Sequence, residues 1–453
     1  MNVASFFAGC GGLDLGFEQA GFDVVWANEN DLTIHKTYKI NHPKTILCEK
    51  DIQSITVNDI PDCDGFIGGP PCQSWSVGGK QLGLKDARGR LFLDYINLIR
   101  AKHPKFFVIE NVKGIISDKH LPTFLSFLSL LTDAGYIVNY SLLNAADYRI
   151  PQDRQRVFVV GISKEINCVF DFPSPFYKQR VTLKQAIGDI VMTPNNYLNE
   201  KVLQSSGELL NHDIYVGSFD AKFMARNRVR QWEEISFTIQ AQAKNAPLHP
   251  QAPKMLYISP SKRIFVPGKE HLYRRLSVRE CARIQSFPDS FKFIYSNIKD
   301  GYNMVGNAVP PRLAKIIALK IKETLTNIEK DEWMLVGYYK SKEHLNKIVQ
   351  NQLYYVRTGF KRGALTYPAG KNSPKYLLLH NRNQRFLFNL IEEVPLVKSA
   401  SYLREKGFSP SGGEYLTFKI KSKVEDENIL NTEIQGVGFN KAIPYLCKHK
   451  SNK

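Results

Sequence analysis

The chain is poor in the residues that build cross-links and metal cages. Seven of its 453 residues are cysteine, at positions 10, 48, 63, 72, 168, 281 and 447, and no two stand in a C-x-x-C spacing. An odd, irregular set of this kind excludes a disulfide framework and a cysteine-built zinc site. It predicts reduced thiols, a cytoplasmic (bacterial) location and no metal. No apolar run reaches the roughly 18 residues of a membrane span, so no membrane partner is predicted. The opening "MNVASFFAGCGG" lacks a basic stretch ahead of an apolar one, which predicts no secretory signal. Negative charge is also scarce. There are 43 Asp and Glu against 61 Lys and Arg, a net charge of +18, which points to a polyanionic partner with DNA or RNA as the default. A merely basic soluble protein is the alternative.

What is present is a chain that is 43% hydrophobic and long enough for two or three domains. "NVASFF", "DVVWANE", "CDGFIGG", "KFFVIENV" and "RVFVVGI" read as buried strands, with "GLDLGFEQAG" and "LFLDYINLIRAKHP" as helices between them. This alternation predicts an α/β fold with a parallel sheet covered on both faces, whose ligands sit at the carboxyl ends of the strands. From about Phe172 the periodicity breaks up. Between Asn211 and Arg275 there are eleven basic and five acidic residues, a local net of about +6, before helical patterning returns at "LSVRECARIQSF" and "PPRLAKIIALKIKETLTNI".

The chemistry-bearing residues cluster at predicted strand ends. "GFIGGPPCQSWSVGGK" holds Cys72 between two prolines and several glycines, the setting of a nucleophile on a loop rather than of a core thiol. "FFAGCGGLDLGF" reads as strand, glycine turn and helix start. Glycines there let a cofactor approach the backbone, although a tight turn without a ligand has the same pattern. Glu29 in "WANEN" is placed to accept from ribose hydroxyls and Asp51 in "EKDI" from an adenine amino group, each with a solvated loop carboxylate as the alternative. Glu110, after four apolar residues in "VIENV", is a partly desolvated carboxyl or a structural ion pair. Arg154 and Arg156 in "PQDRQRVFVVG" are predicted on one face, converging on an anion or a base edge.

With these residues in view the chain resembles the DNA (cytosine-5) methyltransferases over about residues 1–327. "FFAGCGG", "GGPPCQSWS", "ENV", "QDRQR", "RRLSVRECARIQSFP" and "GNAVPPRLA" stand in that family's order. Within the family the likeness is greatest to the HaeIII-type, GGCC-methylating members, through "FMARNRVRQW", "LHPQAP" and "GKEHLYRRL". The resemblance implies an S-adenosylmethionine-dependent methyltransferase (Rossmann-like) sheet with a smaller target-recognition domain, double-stranded DNA as substrate, and a restriction endonuclease encoded separately. By matching, Cys72 adds to carbon 6 of a flipped cytosine, Glu110 holds N3, Arg156 holds O2 and Arg154 joins the same cluster. A loop from Gln73 to about Arg90 closes over the base. Phe6, Gly9, Gly11, Glu29, Asp51 and Asn307 line the cofactor pocket. Asn30 stands where the family often has an aromatic residue, and Lys50 where a glycine is usual. Arg226, Arg228 and Arg230 are the candidates for reading guanines, with phosphate contact as the alternative. An RNA-directed enzyme of the same fold and a DNA-binding regulator with a decayed site are the competing readings.

The domain boundaries that follow are 1–172 for the catalytic and cofactor-binding domain and 173–275 for target recognition. Residues 276–330 then return to the catalytic domain, and 331–453 form a C-terminal α+β accessory domain. This last section resembles nothing nameable and reads as β-α-β-β-α-β with "WMLVGYY", "KYLLLH" and "EYLTFKI" as strands. Its twenty basic and eleven acidic residues favour extra DNA contact over a fused nuclease, for which Glu414 and Lys419 lack a well-placed aspartate, or a protein-contact domain.

Overall fold

The computed structural model describes residues 1–71, 87–166, 168–176, 180–190, 195–196, 209–326, 331–357, 374–381, 384–391, 395–425 and 445–450. They form two compact units, one from Met1–Ser163 and Val169–Thr324, the other from Lys164–Cys168 and Leu325–Lys453.

The first unit opens with β1 (Asn2–Phe6), α1 (Gly12–Gln19), β2 (Asp23–Asn28), α2 (Leu32–Asn41) and β3 (Ile46–Cys48). It continues with β4 (Gly65–Gly68), α3 (Ala87–Lys102), β5 (Phe106–Val112), α4 (Leu121–Asp133), β6 (Tyr136–Asn144) and β7 (Gln155–Ser163). The described strands lie in the order β3-β2-β1-β4-β5-β7-β6. Strands β1 to β5 are parallel. The expectation of a wholly parallel sheet fails at β7, which runs antiparallel to both neighbours. The reason is the short link 145–154, which can turn a hairpin but leaves no room for the crossover that a parallel pair requires.

Every residue of β4 and six of seven in β5 are buried, so these strands read as continuous apolar runs because both sheet faces are covered. Phe6, Phe66, Tyr95 and Trp26 meet in one aromatic cluster with ring centroids 4.8–5.3 Å from Phe6. Burying each such side chain is worth about 1.5–3 kcal/mol. The chain leaves β1 for β2 and β3 on one side, then returns to place β4 on the other side of β1. That reversal opens a crevice at the carboxyl ends of β1 and β4.

Beyond the sheet come α5 (Leu183–Ile187), β8 (Asn195–Asn196), β9 (Asp213–Ile214), α6 (Ala221–Met224), β10 (Leu256–Ser259) and β11 (Lys262–Ile264). Around α6 and the β10–β11 pair lies a small core of Phe223, Val229, Leu248, Ala252, Met255 and Tyr273, while Leu183 and Ile187 of α5 pack into the core that includes α7 and α8. Helices α7 (Val278–Ile284), α8 (Ile298–Asn307) and α9 (Pro311–Thr326) complete the unit. Ser277 caps α7 reciprocally with Glu280, and Glu280 also takes a bidentate pair from Arg274 at 2.7 and 2.8 Å.

The second unit contains β12 (Asp331–Tyr338), α10 (Lys342–Asn351), β13 (Leu353–Arg357), β14 (Tyr376–His380) and β15 (Arg385–Leu390). After these come β16 (Leu396–Ser399), α11 (Ala400–Glu405), β17 (Glu414–Val424) and β18 (Tyr445–Lys450). The described strands form a mixed sheet in the order β13-β17-β15-β14-β12-β18, with β16 on β17. The three strands expected from sequence are β12, β14 and β17. Strands β13, β15, β16 and β18 enlarge the simple pattern. Among the described residues no helix is long and apolar enough to cross a membrane, and no group of three His, Cys, Asp or Glu could hold a metal ion.

Candidate active site

The turn after β1 is built on left-handed backbone. Phe7, Gly9 and Gly11 have φ of 51°, 57° and 88°. At Gly11 the conformation and the space both demand glycine, because a Cβ there would lie 2.1 Å from His42 Nε2. Gly9 differs, since its missing Cβ faces open space with nothing within 4 Å. Gly12 and Gly16 let the segment from Ala308 to Lys315 press against α1, where a Cβ would meet the carbonyls of Val309 and Pro311 at 2.5 Å. Asn307, exposed at the end of α8, thereby sits just ahead of the segment that touches the start of α1.

Glu29 follows β2 and braces this turn. Its Oε2 accepts from Gly9 N–H and its Oε1 from Asp31 N–H, both at 2.9 Å. Asp51 lies exposed beyond β3, where Oδ1 accepts from Gln53 N–H at 2.9 Å and Oδ2 from the Asn30 amide at 3.4 Å. Lys50 turns to Asp59 at 2.8 Å, so its charge is already matched on the surface. Phe6 departs from expectation. Its ring is fully buried in the sheet core, and the partly exposed ring of the turn belongs to Phe7. Phe7 lies just past β1 with a left-handed φ, where strand alternation no longer places the side chain.

At the carboxyl end of β5, Glu110 is buried and meets Arg156, with Nε 3.0 Å from Oε1. The contact is a close ion pair whose N–H direction misses hydrogen-bond alignment, since Oε1 has no aligned donor. β7 runs antiparallel to β5, so its first residues lie beside the last ones of β5, and Arg156 pairs with Val112 in the ladder. Asn111 donates to the Pro70 carbonyl at 3.0 Å, and Gly69 N–H donates to Phe6 O at 3.4 Å. A Cβ on Gly69 would lie 3.5 Å from Glu110 Oε2. The segment leading to Cys72 is thus tied down against Glu110. Cys72 and the loop from Gln73 to about residue 86 lie outside the described residues.

Arg154 does not share the face of Arg156. It is buried and donates to the carbonyls of Ile239, Gly306 and Ala308 at 3.1, 3.0 and 2.9 Å. Burial pushes its guanidinium down to about 9. It precedes β7, where pleat alternation does not apply, and it joins three chain segments. Arg228 is likewise taken up internally, donating to Phe223 O at 3.0 Å while stacking on the Phe223 ring. Arg230 lies over Phe237 with its centroid 4.2 Å away and reaches Glu234 at 3.4 Å. Arg226 alone of the three is exposed. It borders a cleft of about 180 Å³ with Asp153, Asn227, Thr238, Gln240 and Asn245. The sequence marks the stretch Ala241 to Pro247, between "FTIQ" and "LHPQAP", as a loop of the kind that contacts bases, but not the individual carboxamides of Asn227, Gln240 and Asn245.

A C-5 cytosine-specific DNA methylase family model matches residues 1–323. The chain belongs to the C-5 cytosine-specific DNA methylase family. As a member it is an S-adenosylmethionine-dependent DNA (cytosine-5) methyltransferase. It is 51% identical over 331 residues to the type II methyltransferase M.MthTI of Methanothermobacter thermautotrophicus, covering 72% of this chain and 99% of that one. It is also 51% identical to M.FnuDI of Fusobacterium nucleatum, covering 73% and 96% respectively. Among solved structures, a putative DNA modification methyltransferase of an E. coli prophage shares the fold at a TM-score of 0.55 and 23% identity, covering 72% of this methyltransferase and 99% of that chain. The family match ends within α9, so the larger part of the second unit, Leu325–Lys453, lies beyond it.

The turn of this methyltransferase fits its cofactor. Gly9 leaves open space where a side chain would stand, the Glu29 carboxylate faces the same turn, and Asp51 is exposed at the next strand end. Gly9, Gly11, Glu29, Asp51 and Asn307 are the residues that would hold it, with Phe7 in place of Phe6. When bound, S-adenosylmethionine supplies an electrophilic methyl group.

Proposed function

We propose that this methyltransferase serves a type II restriction–modification system. In this reading it methylates carbon 5 of a cytosine flipped out of duplex DNA, through a covalent adduct with Cys72. The observation that carries the reading is the Glu110–Arg156 ion pair, held beside the tethered residues that lead into Cys72. Carbon 5 of cytosine is a weak nucleophile. Addition of the Cys72 thiolate to carbon 6 pushes electrons through the ring toward N3, and carbon 5 becomes enamine-like. Glu110 acts on N3, where a hydrogen-bonded carboxyl stabilises the added charge, and Arg156 orients Glu110 and holds O2. Once carbon 5 carries the methyl group, loss of its proton and departure of the Cys72 sulfur restore the ring. The target must leave the stack for any of this to occur.

Other thiols are poor rivals to Cys72. Burial pushes Cys10 up to about 12 and Cys63 to about 11, and raises Cys281 well above the ordinary range. Cys48 ends β3, four strand spacings from β5 or about 19 Å. For sequence reading, the exposed Arg226 and Gln240 with the half-buried Asn245 supply groups of the type that address guanine and adenine edges. We place the target at GGCC or a site containing it, from the likeness of the recognition region, and pair the enzyme with a separately encoded endonuclease of the same specificity. Bisulfite sequencing of plasmid from expressing cells tests this. Modification of the inner cytosine of GGCC, with resistance to a GGCC-cutting nuclease, is the expected result. Full cutting beside heavy incorporation of labelled methyl groups would place the site elsewhere.

A further inference from the structure

The segment Leu325–Lys453 of the second unit lies beyond the family match, and its chemistry must be read from its own residues. Residues 331–453 carry twenty Lys and Arg against eleven Asp and Glu, a net of +9. Helix α10, capped by Ser341, buries Ile348 in the core. Its neighbouring face stands over β15 and the second half of β17. A cleft of about 350 Å³ remains between them, at the small end of the range for bound ligands.

The lining is specific in kind. Phe386 supplies a partly exposed aromatic ring beside the buried Phe388, Asn346 and Gln350 supply carboxamides from α10, and Lys421 and Lys423 supply positive charge from β17. Among the described residues no Asp or Glu lines the cleft. In the β15–β17 ladder Phe388 lies directly opposite Lys423, whose Nζ stands 5.9 Å from the centroid of the Phe386 ring. Lys423 also pairs with Glu425 at 3.3 Å, but both groups are solvent-exposed and that contact is weak. Val349 adds an exposed apolar edge. A ring for stacking, amides for base edges and lysines for phosphate together describe a site for one nucleotide. A base inside a duplex is stacked on both sides and cannot enter such a cleft.

We propose that this cleft binds an unpaired nucleotide of single-stranded DNA, giving the methyltransferase a second, sequence-tolerant hold on its polymer. The choice of DNA rests on the family assignment, and nothing in the inference depends on the GGCC site or on Cys72. The test uses the full chain and a fluorescein-labelled twenty-residue oligothymidine, which contains no cytosine. Anisotropy at 50 mM salt should show K421E/K423E binding at least about fivefold more weakly, with a shallower salt dependence. F386L, which keeps apolar bulk but not a stacking face, should also weaken binding, by about threefold or more. Methylation of a short duplex should stay at the wild-type rate in both variants. Unchanged oligothymidine affinity in K421E/K423E would overturn the proposal. So would loss of thymidine monophosphate binding in these variants with no change for the oligomer, which would make the cleft a site for free nucleotides. Loss of duplex methylation alone would count against the second unit as a separate DNA hold and would leave the catalytic assignment intact.

Discussion

Arg156 Nε stands 3.0 Å from a carboxylate oxygen of Glu110, across neighbouring antiparallel strands. Among the described residues Glu110 makes no other polar side-chain contact, and Arg156 makes one, Nη1 donating to Gln155 O at 2.8 Å. Glu110→Gln should therefore lower turnover by about two to four powers of ten while the melting temperature and duplex affinity hold. Thermal melts and single-turnover methylation read the two separately, and an unfolded variant would make Glu110 structural.

Arg154 and Arg156 lie two positions apart and should fail differently. Arg154→Met strips the buried Ile239 and Gly306 carbonyls of this donor and leaves Ala308 O with only the 3.4 Å bond from Gln285, so the protein should lose on the order of 3 kcal/mol of stability, with near-normal turnover per folded molecule. Arg156→Met should keep its melting temperature and lose turnover. Denaturation curves combined with active-site titration distinguish the pair.

The glycine turn gives a second paired contrast. Gly11→Ala forces a Cβ onto His42 Nε2 and also strains a left-handed residue, which alone costs about 1–2 kcal/mol. It should lower stability sharply. Gly9→Ala carries the same kind of backbone strain, yet its methyl points into the open space assigned to the cofactor. Its larger effect should be on S-adenosylmethionine affinity, read by isothermal titration, with a smaller shift in melting temperature.

His249 gives a pH dependence. The N–H of Gln251 donates to its Nδ1 at 3.2 Å, so the proton of the neutral ring sits on Nε2, facing Glu280 at 3.5 Å. Burial pushes its pKa down to about 4, against about 6.5 in the unfolded chain. The unfolded state therefore binds more protons between these values. Stability should be full above about pH 6.5, fall as pH drops toward 4 and level off below, a loss on the order of 3 kcal/mol. Urea titrations at pH 7.5, 6 and 4.5 should show this slope, reduced in His249→Gln. An identical slope in the variant would assign the acid sensitivity to other groups.

Much of this was legible in the sequence because parallel strands buried on both faces leave long apolar runs, and the residues just past those runs must lie at one sheet edge. Glu29, Glu110 and the glycine turn were located in that way. Orientation was harder to read. Phe6 and Phe7 are adjacent aromatics, and a positive φ at Phe7 decides which ring faces outward. Arg154 and Arg228 looked like free cations because charge predicts exposure. Their partners are backbone carbonyls, distant in sequence for Arg154, that no residue pattern announces. The reversal of β7 followed from a short link, and link length was the one overlooked signal. The cleft beneath α10 depends on the pairing of β15 with β17, which lie about thirty residues apart and give no local cue.

The central claim is that Cys72 attacks carbon 6 of a flipped cytosine. Duplex DNA carrying 5-fluorocytosine at the target blocks loss of the substituent from carbon 5, so an enzyme using that route is trapped on the DNA. Wild-type protein incubated with this duplex and S-adenosylmethionine should give a denaturation-stable complex, with the crosslinked peptide containing Cys72. Cys72→Ser should still bind cofactor and duplex, yet form no such complex, because a hydroxyl does not ionise readily near neutral pH. Trapping of the serine variant at the wild-type rate, or a crosslink mapped to another cysteine, would contradict the account.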